Sequence, residues 1–331
     1  MTTHRRILDT ISRRDGGVAD TYWHRYYTPA EVDETIRSSV TTMAVSKGTP
    51  IHVRIWPVDP DAPTIVMAHG LLPFGLTLIR LQLALFHSGF NVVQWDLPGF
   101  GLSGGPRGGC TIAEVIEHWA DMIAWVHEGL GDPLFTIGFA EDGVTCYYAA
   151  ADDPRVAAMS VHILTEYGDP DNAHWLGPNW LVNLEAMALR PAAGLRPSHG
   201  VKVTDAISFD ILFGKRADGS YRNIFEDDPL RSQVFELRLA QSMLTPLKPR
   251  VRFEDCQKPI QVIASEQNQV WPFKMVKRYY DRLGGPKQLV TLDGRPHWEF
   301  TPDFDRTYCA LAVDWFRHHG AGAARPRARP A

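Results

Sequence analysis

The chain has 331 residues with 34 Lys and Arg against 38 Asp and Glu, a net charge of −4, which offers no single-sign field to recruit nucleic acid or an anionic membrane. No apolar run approaches the ~20 residues of a membrane span, and the polar, basic N-terminus has no apolar signal core. The four cysteines, Cys110, Cys146, Cys256 and Cys309, form no C-x-x-C pair, so the composition reads as a cytoplasmic protein with reduced thiols, no metal site and a small-molecule partner.

Residues 1–36 form an N-terminal arm in which Tyr22, Trp23, Tyr26 and Tyr27 follow a basic stretch. They read as aromatics packed on the core surface, or alternatively as a lid or the contact of a homodimer. Two β-rich runs, 40–45 and 51–56, join across Ser46-Lys47-Gly48-Thr49 as a hairpin. The stretch 64–68 is continuously apolar, as a strand covered on both faces is, and it runs into His69-Gly70-Leu71. A helix over 76–87 stops at Gly89, a strand covers 91–95, and a turn follows over 96–103. Thr111 and Glu114 make a T-x-x-E capping box for a helix with Ile112, Val115, Ile116, Trp119, Met122, Ile123 and Val126 at helical spacing. A strand over 134–138 then turns abruptly into a helix running through Tyr148 and Ala150, and another strand is expected near 156–164. Strands and helices alternating at this spacing argue for a mostly parallel α/β sheet with flanking helices.

Over 167–253 the alternation stops. This segment carries Trp175, Trp180, the polar turn Arg216-Ala217-Asp218-Gly219-Ser220 and a helix start at Asp228-Pro229, and it reads as an inserted helical cap. The rhythm returns with a strand over 260–264, a helix over 272–283, a strand over 288–292 and a last helix capped by Thr301-Pro302. The organisation expected is therefore an arm (1–36), a core (37–166 and 254–319), a cap (167–253) and a disordered Ala/Pro/Arg-rich tail (320–331).

Four motifs stand in one order along this frame: His69-Gly70; Asp96-Leu97-Pro98-Gly99-Phe100-Gly101-Leu102-Ser103; Gly138-Phe139-Ala140-Glu141-Asp142; and Gly294-Arg295-Pro296-His297-Trp298. Together they resemble the α/β-hydrolase superfamily over roughly 40–319. The resemblance implies a strand-to-helix elbow of pattern G-x-S-x-G, with a nucleophilic Ser exposed above the sheet. Here Ala140 stands where the Ser belongs and Asp142 where the second Gly belongs. It also places the catalytic His at His297 and puts Asn268 where the acid usually lies. Asn can orient an imidazole but brings no charge for an imidazolium. Asp142, Glu141, Glu166 and Glu266 remain as carboxylates that could partner His297. The oxyanion hole of the family maps to the backbone N–H groups of Glu141 and Leu71, behind His69-Gly70.

A methyl group cannot attack a carbonyl, which leaves three accounts. The chain is a Ser esterase or amidase carrying an engineered Ser-to-Ala change, a non-catalytic descendant that still binds a ligand, or an enzyme redirected to acid–base chemistry without a covalent intermediate. The third is favoured, because an idle site has no reason to hold His297. The expected reaction is a lyase, isomerase, cyclase or hydration step on an apolar or aromatic molecule without a cofactor. His297 would move the proton, and some of Phe74, Phe139, Trp175, Trp180, Trp271 and Trp298 would line the pocket. The Ala- and Arg-rich ends look like those of high-GC bacteria, where such relatives often sit in natural-product pathways.

Overall fold

The computed structural model describes residues 27–71, 75–172, 179–202, 230, 232, 234–295, 297–299 and 301–320, with 179–186 described for the backbone course alone. Tyr22, Trp23, Tyr26, Phe74, Trp175, the Trp180 side chain, the turn at 216–220, the helix start at Asp228-Pro229 and the tail from 321 lie outside the described residues.

Helix α1 (Pro29–Ser38) opens on a complete capping box, with Thr28 accepting from the Glu31 amide and Glu31 reaching back to the Thr28 amide. The hairpin follows as β1 (Val40–Ser46) and β2 (Thr49–Trp56), antiparallel across Lys47 and Gly48. Both turn residues have positive φ. Then come β3 (Thr64–Met67), a 3-10 turn (Gly75–Leu78), α2 (Ile79–His87), β4 (Asn91–Trp95), α3 (Ile112–Leu130), β5 (Leu134–Gly138), α4 (Asp142–Ala150) and β6 (Val156–Val161). The second half adds α5 (Asn179–Leu195), β7 (Gly200–Lys202), β8 (Val234–Glu236), α6 (Leu237–Met243), β9 (Ile260–Ser265), α7 (Phe273–Arg282), β10 (Lys287–Leu292) and α8 (Pro302–Gly320).

Eight strands form one sheet in the order β1-β2-β4-β3-β5-β6-β9-β10. The first two pairings are antiparallel and every pairing from β4 to β10 is parallel. The chain thus makes a mostly parallel α/β sheet, with α3 packed on α4 and α2 on α8 over it. Strands β3, β4 and β5 are buried at every residue, which is why none of them shows the strict apolar–polar alternation of a strand with one wet face. None of the described residues of 167–253 joins this sheet. They contribute α5, α6 and the small β7–β8 ladder, and the Glu236 amide bonds back to the Gly108 carbonyl.

Several boundaries differ from the sequence expectation, most by one or two residues. The helix expected over 76–87 begins as a 3-10 turn. The strand expected to reach 164 ends at Val161, with the His162 amide bonding the Gly138 carbonyl as the chain leaves the sheet. The last helix extends through Gly320, the first residue assigned to the tail. These folds of the chain bring the ends of β3, β5, β6, β9 and β10 to one edge, the position at which open parallel sheets place their ligands.

Candidate functional site

At the tip of β5, Ala140 has φ +54°, one of two non-glycine residues with positive φ among those described. An L-residue there costs about 1–2 kcal/mol, and the surroundings hold it. The Asp142, Gly143 and Val144 amides bond the Phe139, Ala140 and Glu141 carbonyls in succession, so the helix starts on the strained residue. The elbow geometry of a nucleophile survives with a methyl in its place. Sequence alignment put Asp142 at the glycine position, but the close packing falls one residue later. A methyl built on Gly138 would lie 2.5 Å from the Gly143 Cα, so Gly143 is the residue that lets α4 sit against β5.

The Glu141 side chain turns back into the oxyanion hole. Its carboxylate accepts the Leu71 N–H, one of the two donors that the resemblance assigns to the oxyanion hole, and its own amide also favours the charged form. It lies against Gly70, where an added methyl would sit 3.0 Å from the Ala140 Cβ and 3.1 and 3.3 Å from the two carboxylate oxygens. The Leu71 N–H, which the resemblance assigns to a substrate oxygen, is thus taken by the chain's own carboxylate. Burial pushes the Glu141 carboxyl up to about 7, and the two amide bonds pull against that rise.

Asp142 is not part of this arrangement. Its Oδ1 accepts from Trp119 Nε1 and Thr145 Oγ1, both at 2.7 Å, so it points beneath α4 toward α3. Its Oδ2 is buried without a partner, and burial pushes its carboxyl up to about 8. Glu166 pairs with Arg282 at 3.1 Å, and Glu266 is exposed. His69 likewise serves the loops. Its Nδ1 donates to the Gly70 carbonyl at 2.7 Å and its Nε2 accepts from the Leu97 amide at 3.0 Å.

His297, 2% exposed, is held at Nδ1 by Asn268 Nδ2 at 3.0 Å. Asn268 Oδ1 accepts the Val270 and Trp271 amides, each at 3.0 Å, which settles which end of the carboxamide faces the imidazole. Trp271 packs at 5.0 Å from the His297 ring. Burial, followed by the neighbouring His162, holds His297 well below the ordinary imidazole range, so it is neutral at pH 7. Phe139 and Trp298 were expected to line the pocket, but they are core. Trp298 is wholly buried against Phe139 at 4.2 Å, Phe304 at 4.5 Å and Tyr308 at 5.1 Å.

His162 escaped the sequence reading, since a lone His one residue past a strand carries no spacing signal. It stacks 4.7 Å from His297 and 5.8 Å from Phe139. Neither of its ring nitrogens has a hydrogen-bond partner, and burial drives it down to about 3. Among the described residues no cluster of three His, Cys, Asp or Glu could hold a metal ion, and no helix is long and apolar enough to cross a membrane.

Comparison with known proteins agrees with this frame. The chain is 23% identical, over 85% of its length and 99% of the other's, to an uncharacterized 31.7 kDa protein in the traX-finO intergenic region of Escherichia coli. Its fold is similar to the monoacylglycerol lipase of Paleococcus ferrophilus (TM-score 0.61, 20% identity, 78% of this chain and 96% of that one). It is also similar to a soluble variant of the Saccharomyces cerevisiae monoglyceride lipase (TM-score 0.67, 14% identity, 85% and 94%). The model of one family, described as serine aminopeptidase, S33, matches residues 59–300; with the elbow, the hole and the His loop in their places on this sheet, the chain belongs to that family of the α/β-hydrolase superfamily.

Proposed function

We propose that the protein is an acid–base enzyme acting on an apolar small molecule without a covalent intermediate, and that Glu141 is the group that moves the proton. The observation that carries this is the carboxylate of Glu141 lodged in the oxyanion hole beside the methyl of Ala140. A hydrolase of this fold places a nucleophile at the elbow and two N–H donors at the hole. This chain places no nucleophile at the elbow and fills the hole with a carboxylate of proton affinity about 7, matched to proton transfer at neutral pH.

The sequence reading gave proton transfer to His297 with a carboxylate partner. The geometry favours the reverse division: the carboxylate acts itself, from the hole, and His297 is tied to the uncharged Asn268. The apolar surroundings, with Trp271 against His297, fit an apolar or aromatic ligand. A lyase, isomerase or hydration step needs no more from the protein than this.

A second reading has its own support, since a carboxylate that occupies the Leu71 N–H also suits a receptor that binds without turnover. Glu141→Gln separates the two. Acid–base catalysis predicts a fall in turnover of about 10²–10⁴-fold with ligand affinity kept. A receptor shows no turnover in the parent protein to lose. The engineered-hydrolase reading predicts that Ala140→Ser becomes strongly labelled by a fluorophosphonate, whereas the acid–base reading predicts that it stays unlabelled, because neither the hole nor the imidazole is set to support a serine.

A further inference from the structure

We propose that Asn268 fixes the proton of His297 on Nε2, so that this ring acts as a hydrogen-bond donor to a carbonyl oxygen of the substrate and not as a base. The substrate class that follows is a carbonyl compound with a removable proton on the adjacent carbon. The proton-removal part rests on Glu141 acting as proposed above, and the tautomer does not.

The chain of partners is closed by donor and acceptor accounting. Two backbone amides, those of Val270 and Trp271, point at one atom of the Asn268 carboxamide, which must then be its oxygen. The other atom is therefore the NH₂ group, and it faces His297 Nδ1 at 3.0 Å. A donor facing Nδ1 requires Nδ1 to accept, and a neutral imidazole that accepts at one nitrogen carries its hydrogen on the other. In a Ser-His-Asp triad the carboxylate accepts from Nδ1–H, and Nε2 is left bare to take the serine proton. Replacing that acid by Asn268 inverts the ring. An Nε2–H has no lone pair to accept a proton, but it can hold an oxygen on which negative charge develops, a role neutral histidine N–H groups fill elsewhere.

The surroundings keep the ring in this state. The side chains packed on it are His162, which has no charge partner and is itself neutral, and the rings of Trp271 and Phe139. Asn268 brings no charge, and Asp142, Glu166 and Glu266 are turned elsewhere. Burial holds the imidazole well below its usual range, so protonation of Nδ1 does not cancel the arrangement at pH 7.

The two poles of a hydrolase site are thereby exchanged. The hole holds the proton acceptor, and the histidine holds the oxygen. Glu141 takes a proton from the carbon next to the carbonyl, the C–H electron pair becomes a C=C bond, and the C=O pair moves onto oxygen. The enolate oxygen is held by His297 Nε2–H, and Glu141 returns the proton to the carbon framework. Atoms and electrons balance without a co-reactant.

The test uses the ¹⁵N-labelled full chain and 4-phenyl-2-butanone as the carbonyl probe. Long-range ¹⁵N–¹H correlation at pH 7 should show His297 protonated at Nε2 and bare at Nδ1, and Asn268→Asp, which accepts where Asn donates, should move the proton to Nδ1. The C=O stretch of the bound probe should lie at lower frequency in the parent than in Asn268→Asp or His297→Phe. A parent His297 protonated at Nδ1 overturns the proposal whatever the variants do, and so does a carbonyl band that is unmoved by either substitution. A shifted band without deuterium uptake next to the carbonyl supports the donor role of His297 and contradicts the acid–base reading of Glu141, so the two can fail separately.

Discussion

Two carboxylates within one loop cluster, the buried Asp96 and the half-buried Glu141, show how the same chemical group is set to different proton affinities. Asp96 sits in the Asp-Leu-Pro-Gly-Phe-Gly-Leu-Ser turn with the Gly75 amide on Oδ1 at 2.8 Å, and the Leu102 amide at 3.0 Å and His52 Nδ1 at 3.1 Å on Oδ2. Burial opposes its charge, but the His52 bond, the neighbouring imidazoles and the Leu102 amide outweigh it and hold the carboxyl at about 2. Glu141 is also desolvated, with the Leu71 amide as its hydrogen-bond donor and no imidazole bond, and it is pushed up to about 7. The difference lies in the number and charge of the donors. Asp96 is an ionised structural hub, wrapped so closely that a methyl on Gly101 would lie 2.4 Å from its Oδ2. Glu141, pushed up to about 7, is the group to which the proposal gives proton transfer.

Substitutions can break this comparison at either end. The largest effect is expected at Glu141. With 4-phenyl-2-butanone as probe, Glu141→Gln should slow deuterium uptake beside the carbonyl by about 10²–10⁴-fold, while thermal unfolding keeps its cooperativity. In the parent, that uptake should rise with pH through about 7, as Glu141 loses its proton and becomes a base. Asp96→Asn should instead act on stability. It removes the charge that three donors share and puts an amide among them, at a cost on the order of 3 kcal/mol, read as a lower denaturant midpoint. An exchange defect in Asp96→Asn without loss of stability would blur the division between hub and catalyst.

Asp142 tests the boundary between them. Its carboxyl is raised from 3.8 to about 8, so the folded state binds this proton more tightly than the unfolded chain does. The resulting stabilisation is full below about pH 4 and is lost as pH rises through about 8. Asp142→Asn should therefore flatten the fall in melting temperature across that window, so that its melting temperature relative to the parent's is higher at pH 9 than at pH 4. Its deuterium uptake should stay near that of the parent. The smallest effect expected is on labelling: Ala140→Ser should stay unreactive toward a fluorophosphonate, and Ala140→Ser/Glu141→Ala/Asn268→Asp should gain reactivity because a vacant hole and a bare Nε2 are then both supplied.

Much of this was legible in the chain because it is written locally. Parallel strands buried on both faces read as apolar runs, capping boxes mark the starts of α1 and α3, and the turn and elbow motifs give the order of the loops. The motifs name the residues of the candidate site but not the directions of their side chains. Glu141 and Asp142 are adjacent at the start of α4, and only the path of the helix decides that one reaches Gly70 and the other Trp119. His162 was invisible because its role comes from stacking on His297, 135 positions along the chain, which no local pattern records. Asn268 was read as a neutral orienter, but its effect on the imidazole depends on two backbone amides of its own loop.

The central claim is that the carboxyl group in the oxyanion hole exchanges its proton near neutral pH. Infrared difference spectroscopy of the parent against Glu141→Gln isolates that one group as the carboxylic C=O band that the variant lacks. The band should disappear, with a carboxylate band growing in its place, as pH is raised through about 7. A Glu141 carboxylate that is already fully ionised at pH 5 would contradict the account, because it would then be a fixed anion like Asp96 and not a proton-transfer group.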